Sequence, residues 1–358
     1  MTNIHEIKSQ LRRVMIFQKY KAAAIRGAVD KNLVFSPPAL LDTGLSSLNE
    51  GDHIIMHFAN KQLRSIWPNE GYERFATHAY PTNATSDSSN LLKILCGTNA
   101  VSATANRINT CRFWLDFPSD PNIYAKSVLT LAVGMRDVPH DGCITDGMGK
   151  VLRYLLTGDF IHSVRDSRTE QALKAIGVTN VLNTACVTMW DLTPGFCKTI
   201  PTDKATDVLT TITDYGFDPE HDGYMLRTLK KHYRKVFLWV QGADDLSKLR
   251  TLPEAEGIEL VEGGFLGLEQ FVSEHDDFDY FGTRLHCGIY CLNHRVRSMI
   301  VTIDNRAADI QRDTNIPTVD RSHLERDMER LIEESRTTNI TIPEDNIRVW
   351  KSQFAGRM

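Results

Sequence analysis

Short apolar runs of strand length alternate with helically spaced apolar residues along most of this chain. Residues up to about Asn32 read as helix, with Leu11, Met15 and Ile16 set among basic residues ahead of the first strand. From there the pattern predicts strand at Leu33–Phe35, helix from about Asp52 to Trp67, strand at Leu92–Cys96 and strand at Ser127–Val133. A helix around Met148–Leu156, a strand at Phe160–Val164 and a helix with a Ser167/Glu170 capping box follow, the last stopped by Gly177. After the loop from Pro194 to Pro201 the alternation restarts. Strands at Val208–Thr213, Val236–Val240, Ile258–Val261, Phe278–Gly282 and Ser298–Ile303 are separated by helices near Tyr224–Tyr233, Leu268–Ser273 and Leu285–Leu292. An amphipathic helix from about Ser322 to Glu334 and a last segment, Pro343–Phe354, close the chain.

Repeated β-α-β order predicts an α/β protein with parallel sheets covered by helices. Two such series predict two Rossmann-like domains facing across a cleft: residues 1–195 with an N-terminal helical extension, and residues 196–316. Residues 317–358 would be a helical segment packing back on the first domain. A length of 358 residues with 42% hydrophobic content supports two cores.

Charge narrows the partners. A net charge of -4 provides no global basic field, so nucleic acid is not expected as a partner. No apolar run is long enough to span a bilayer, and the N-terminus has no basic region followed by an apolar core. The odd count of seven cysteines does not form a disulfide framework, and Cys287 and Cys291, four apart, read as helix packing; no metal is expected and a reducing cytoplasm fits.

The chemistry concentrates where strands run into helices, the place at which open α/β sheets take ligands. In Phe278–His286 a strand ends at Gly282-Thr283 and delivers Arg284 and His286 to a helix start. Thr283 reads as the N-cap, and unpaired backbone amides with a permanent cation make an anion site beside a proton donor. A purely structural reading needs buried carboxylate partners for Arg284, because the dipole disfavours a cation there. Asn49, Gly51 and Asp52 open another helix, as cap or as ligand contact; Arg165 follows a strand and either grips an anion or pairs with Asp166; Asp304 and Arg306 reach the same pocket or pair with each other. His275-Asp276-Asp277 and His140-Asp141 read as solvated loop. The G-x-S-x-G, G-x-x-x-x-G-K-[ST] and G-x-G-x-x-G patterns are absent.

Asn49-x-Gly51-Asp52, Val164-Arg165-Asp166-x-x-Thr169 and Arg284-Leu285-His286 with Asp304-x-Arg306, in this order, resemble the polysaccharide pyruvyl transferase family from about Asp42 to Asp313. The resemblance implies a GT-B-like fold and transfer of pyruvate from phosphoenolpyruvate, a co-substrate rather than a cofactor, onto sugar hydroxyls as a ketal. It implies Arg165, Arg284, Leu285, Asn49, Gly51, Asp52 and Arg306 at the donor, with Arg284 and His286 catalytic and His286 the general acid. The helix dipole and Arg284 favour a neutral imidazole in the empty site, and a bound phosphate reverses that bias. The acceptor would be a sugar or glycan, lipid-linked or free, and the location cytoplasmic or peripheral to the inner face of the membrane. A GT-B-type glycosyltransferase using a nucleotide sugar, or a catalytically silent glycan-binding homologue, fits the same architecture. The chain departs from the family pattern at Ala185-Cys186-Val187, where a proline is common, and at Thr98, in a turn usually rich in glycine.

Overall fold

The computed structural model describes residues 4–27, 31–68, 71–102, 116–135 and 144–355. The chain divides into two compact units. The first comprises Met1–Ser47, Ile55–Val187 and Pro343–Met358, and the second Leu48–Ile54 and Thr188–Ile342. The units thus part at 187/188, against 195/196 from the sequence. The first turn of one early helix belongs with the second unit, and the chain from 317 to 342 stays there too.

The first unit opens with α1 (Ile4–Arg26), followed by β1 (Val34–Asp42), α2 (Glu50–Arg64), β2 (Arg74–Ala76), β3 (Leu91–Cys96) and β4 (Val128–Leu131). Next come α3 (Asp146–Leu155), β5 (His162–Val164), α4 (Ser167–Ala175) and β6 (Val181–Asn183). All strand pairs are parallel: β2-β1-β3-β4 form one sheet, β5-β6 pair with each other, and a bridge from Val133 to Val164 joins the two sets. β1 runs well past the Phe35 limit expected from sequence. Pro37 and Pro38 cannot donate to a ladder, and the pairing register shifts between Val34 and Ala39 to accommodate them.

The second unit runs through α5 (Pro194–Cys197), β7 (Asp207–Thr210), α6 (Pro219–His232), β8 (Val236–Trp239), α7 (Asp245–Leu249), β9 (Glu259–Val261) and α8 (Gly264–Glu274). It continues with β10 (Phe278–Gly282), α9 (Leu285–Asn293), β11 (Ser298–Thr302), α10 (Asn305–Thr314), β12 (Thr318–Asp320) and α11 (Leu324–Glu333). Its six strands are all parallel, in the order β12-β11-β10-β7-β8-β9. Counted from β7, this is the 3-2-1-4-5-6 order of doubly wound nucleotide folds, whose order reverses between β7 and β10. β7, β8 and β10 are buried throughout, as strands with helices on both faces must be.

The last helix, α12 (Glu344–Ser352), belongs to the first unit. The Phe354 ring just beyond it packs against Trp67, Phe160 and Trp350, with centroids 4.7, 5.8 and 5.3 Å away. The Gln353 side chain brackets the Ile161 backbone, accepting from its N–H at 2.6 Å.

Candidate active site

Arg284 stands at the reversal of the second sheet. β10 ends at Gly282, the chain bends at Thr283, Arg284 is extended and α9 begins, so Arg284 rather than Thr283 is the N-cap. Thr283 is occupied elsewhere: its hydroxyl shares a 2.8 Å hydrogen bond with Thr213 and donates to the Thr211 carbonyl. The Arg284 amide donates to the Thr211 hydroxyl at 3.0 Å, which locks the chain in the extended form that a cap residue needs. Thr211 follows β7, so both sides of the switch point are tied together by hydroxyls. The Arg284 side chain gives the first amides of α9 no cap bond.

The carboxylate partners that the sequence could not name are Asp214 and Asp245. Arg284, 4% exposed, donates through Nε to the Ile212 carbonyl at 3.2 Å and through Nη2 to Asp214 at 3.0 Å and to Asp245. Asp245 is fully buried and also accepts from the amides of Asp214, Gln241 and Gly242, at 2.9, 3.2 and 2.7 Å. Burial pushes its carboxyl upward, and Arg284 and the amides of Gly242 and Asp214 oppose the shift. Tyr215 lies 5.3 Å from the Arg284 guanidinium and 5.2 Å from that of Arg306, so one exposed ring serves two cations.

Gly242 explains how so much polarity fits. A Cβ there would run into Arg284 Nη2 and stand 2.9 Å from Asp245 and 3.1 Å from Asp214. A sequence signal existed in Gln241-Gly242-Ala-Asp-Asp245, a glycine and an Asx-type turn directly after a strand.

The remaining sequence candidates fall into two groups. Asn49, Gly51 and Asp52 lie at the start of α2, in the segment that belongs with the second unit. Asn49 caps that helix, accepting from the Gly51 amide at 3.2 Å, and its oxygen also accepts from Gln241 Nε2 at 2.9 Å. The Glu50 amide donates to the Gln241 carbonyl, so this segment braces the 241–245 turn against which Arg284 leans. Asp52 is buried. His286, 7% exposed, and Leu285, 8% exposed, form the first turn of α9. Arg306 pairs with Asp304 at 2.6 Å and bonds the Tyr215 hydroxyl, while Asp304 caps α10.

Arg165 belongs to the first unit and repeats the arrangement there. Following β5, it is 2% exposed, reaches Asn99 through Nη2 and Asp166 through Nε at 3.4 Å, and occupies the space that a Cβ on Gly134 would fill. Asp166, not Ser167, caps α4, accepting from the amide and hydroxyl of Thr169 at 2.7 Å each; Glu170 pairs with Lys174 instead of closing a capping box. Both family departures fall on left-handed backbone: Thr98 has φ +61° and Ala185 φ +59°. That strained turn presents Asn99 to Arg165.

His275 stacks on Phe271 at 4.1 Å and bonds its carbonyl, and Asp277 accepts from the Thr206 amide. His140-Asp141 lies outside the described residues. Among the described residues no cluster of three His, Cys, Asp or Glu side chains is placed to hold a metal, and no helix is long and apolar enough to cross a membrane. The described cysteines, Cys287 and Cys291 included, are buried and form no disulfide.

In this α/β protein with parallel sheets Arg284 stands at a strand-order reversal, the place where open α/β sheets take ligands. The family model for polysaccharide pyruvyl transferase matches residues 49–305, most of the chain, and the chain belongs to that family. No curated protein matches it. Among solved structures it is similar to the Methanocaldococcus jannaschii UDP-GlcNAc 2-epimerase in complex with UDP-GlcNAc and UDP, with 10% identity, 87% of this chain and 81% of the other covered and a TM-score of 0.43. It is also similar to the apo lipopolysaccharide outer core galactosyltransferase WaaB, with 10% identity, 89% of both chains covered and a TM-score of 0.38.

Proposed function

We propose that the protein transfers pyruvate from phosphoenolpyruvate to two hydroxyls of one sugar residue in a polysaccharide or its precursor, forming a cyclic ketal and releasing phosphate. The observation that carries the reading is the joint at the end of β10. There a buried arginine, uncapped helix amides and a histidine in the first helical turn meet at the reversal of a doubly wound sheet, within the segment matched by the family.

Phosphoenolpyruvate is a small enol ester carrying a phosphate and a carboxylate. It requires fixed cations and amide donors, and its C3 must gain a proton before C2 accepts an oxygen nucleophile. Arg284 and the first amides of α9 supply the former. His286, as imidazolium, gives its proton to C3. The first sugar hydroxyl then forms the O–C2 bond and its proton returns to the imidazole. The C2–O bond to phosphate breaks next, with the electron pair leaving on phosphate. The second hydroxyl closes the ketal at C2, and its proton leaves with the phosphate. One phosphoenolpyruvate and two hydroxyls thus give one ketal and one phosphate.

Asp214 and Asp245 hold the guanidinium in one orientation, so that positioning is in place before the donor arrives. Asn49 acts by fixing the turn behind Arg284 through Gln241, and Gly51 leaves room for the Gln241 side chain. Arg306 is a further cation of the donor site, and Leu285 contributes its backbone amide.

Incubation with phosphoenolpyruvate and a panel of candidate glycans, reading phosphate release and a mass gain on the sugar, tests the reading. Glycan-dependent release with a pyruvylated product supports it. Consumption of a nucleotide sugar, with a thermal shift by that ligand and none by phosphoenolpyruvate, contradicts it.

A further inference from the structure

We propose that α1 docks the first unit onto the surface of an anionic lipid bilayer. One face of this helix packs into the fold, and Arg12 at its margin stacks on the Tyr80 ring, 3.4 Å from its centroid. Ile16, Phe17, Tyr20 and Ala23 are buried in the core of the first unit, and Arg13 pairs with Asp116 through two hydrogen bonds of 2.7 and 2.8 Å. The opposite face is left to solvent with large apolar side chains on it: Leu11 is 54% exposed, Met15 65% and Ile25 68%. At helical spacing these three, with exposed Ala22 between them, form one stripe. Exposed Lys8, Arg12, Lys19 and Arg26 form a second stripe directly beside it. A groove of about 280 Å³ beside the helix is lined by Lys8, Leu11, Arg12, Met15 and Lys19 from α1 and by Ser119 from another segment.

Charge selects the occupant. α1 carries Lys8, Arg12, Arg13, Lys19, Lys21 and Arg26 against Glu6 alone, whereas the whole chain is at -4. The positive charge is therefore concentrated on the helix that also exposes apolar residues, the combination that lies in a membrane interface with cations at the headgroups and apolar side chains below them. A second copy of the chain is the other candidate, because the spacing of Leu11, Met15, Gln18, Ala22 and Ile25 alternates fours and threes like a coiled-coil seam. Arg12, Lys19 and Arg26 flank that seam at seven-residue intervals, so two copies would bring like charges together. An anionic surface turns the same residues from repulsive to attractive.

The test uses the full chain and vesicle flotation, with phosphatidylcholine vesicles and vesicles in which part of the lipid is phosphatidylglycerol. Partition into the anionic vesicles alone, weakened by salt, is expected. A triple variant, Lys8→Glu with Lys19→Glu and Arg26→Glu, should lower the partition coefficient by at least about a hundredfold. Leu11→Ser with Met15→Ser should lower it about tenfold or more. All five positions are exposed, and circular dichroism checks that helix content is unchanged. No partition, equal partition into neutral vesicles, partition indifferent to the charge variant, or a solution dimer that Leu11→Ser/Met15→Ser dissociates would each overturn the proposal. Phosphate release on a soluble glycan should be unchanged in both variants, which separates this inference from the assignment of the reaction.

Discussion

Gly242 is glycine because Arg284 occupies the place where its side chain would be. Gly242→Ala must push the guanidinium away from Asp214 and Asp245, since neither the backbone nor the buried carboxylates have room to give. Overpacking of this kind costs about 1–3 kcal/mol. The variant should unfold at lower denaturant concentration and bind phosphoenolpyruvate at least about tenfold more weakly in a calorimetric titration. Unchanged binding would mean that Arg284 does not touch the donor.

Asp245 answers for the charge balance of the same joint. Asp245→Ala strips a buried arginine of one carboxylate and leaves the amides of Asp214, Gln241 and Gly242 without their acceptor. Asp214, 21% exposed, still pairs with Arg284. The expected loss is about 3 kcal/mol, read from chemical denaturation. A loss below about 1 kcal/mol would show that Asp214 alone compensates the cation.

His162 gives the first unit an acid limit. Its Nδ1 accepts from the Thr130 amide at 3.2 Å and its Nε2–H donates to the Thr157 carbonyl at 2.9 Å, so the ring is held neutral. Burial depresses its pKa from 6.5 to about 4. A depressed folded value means that this stability is whole above pH 6.5 and is lost as pH falls toward 4, by about 3 kcal/mol in total. Calorimetric unfolding should show the loss over that window, and His162→Gln, which keeps a donor and an acceptor, should flatten it. Parallel curves for the two proteins would contradict the assignment.

The sequence made the alternation of strands and helices legible because each strand is a short apolar run and each following helix has its own apolar period. It also put Arg284, His286 and Arg165 at strand ends, a local property. What it hid is long-range or geometric. Asp245 and Asp214 are 39 and 70 residues from Arg284, and no local pattern ties them to it. Thr283 and Ser167 are good cap residues by type, yet a neighbouring extended residue took the position in each case, Arg284 held by Thr211 and Asp166 bonding Thr169. β12 is three residues long, too short to register as a strand before it pairs with β11.

Thr98 is the clearest strained residue near Arg165. A β-branched side chain at φ +61° is unfavourable by about 1–2 kcal/mol. Asparagine tolerates that region without the added chain entropy of glycine. Thr98→Asn should therefore raise stability by about 1 kcal/mol and raise the thermal midpoint. A lowered midpoint would show that the threonine side chain makes a contribution larger than the strain.

The central claim is that His286 is the proton donor to phosphoenolpyruvate held by Arg284. Glycan-dependent phosphate release at saturating phosphoenolpyruvate, compared between the wild-type chain and His286→Ala, tests it most directly. The account predicts release slowed by about 10²–10⁴-fold with donor affinity nearly intact. Release at close to the wild-type rate would contradict it.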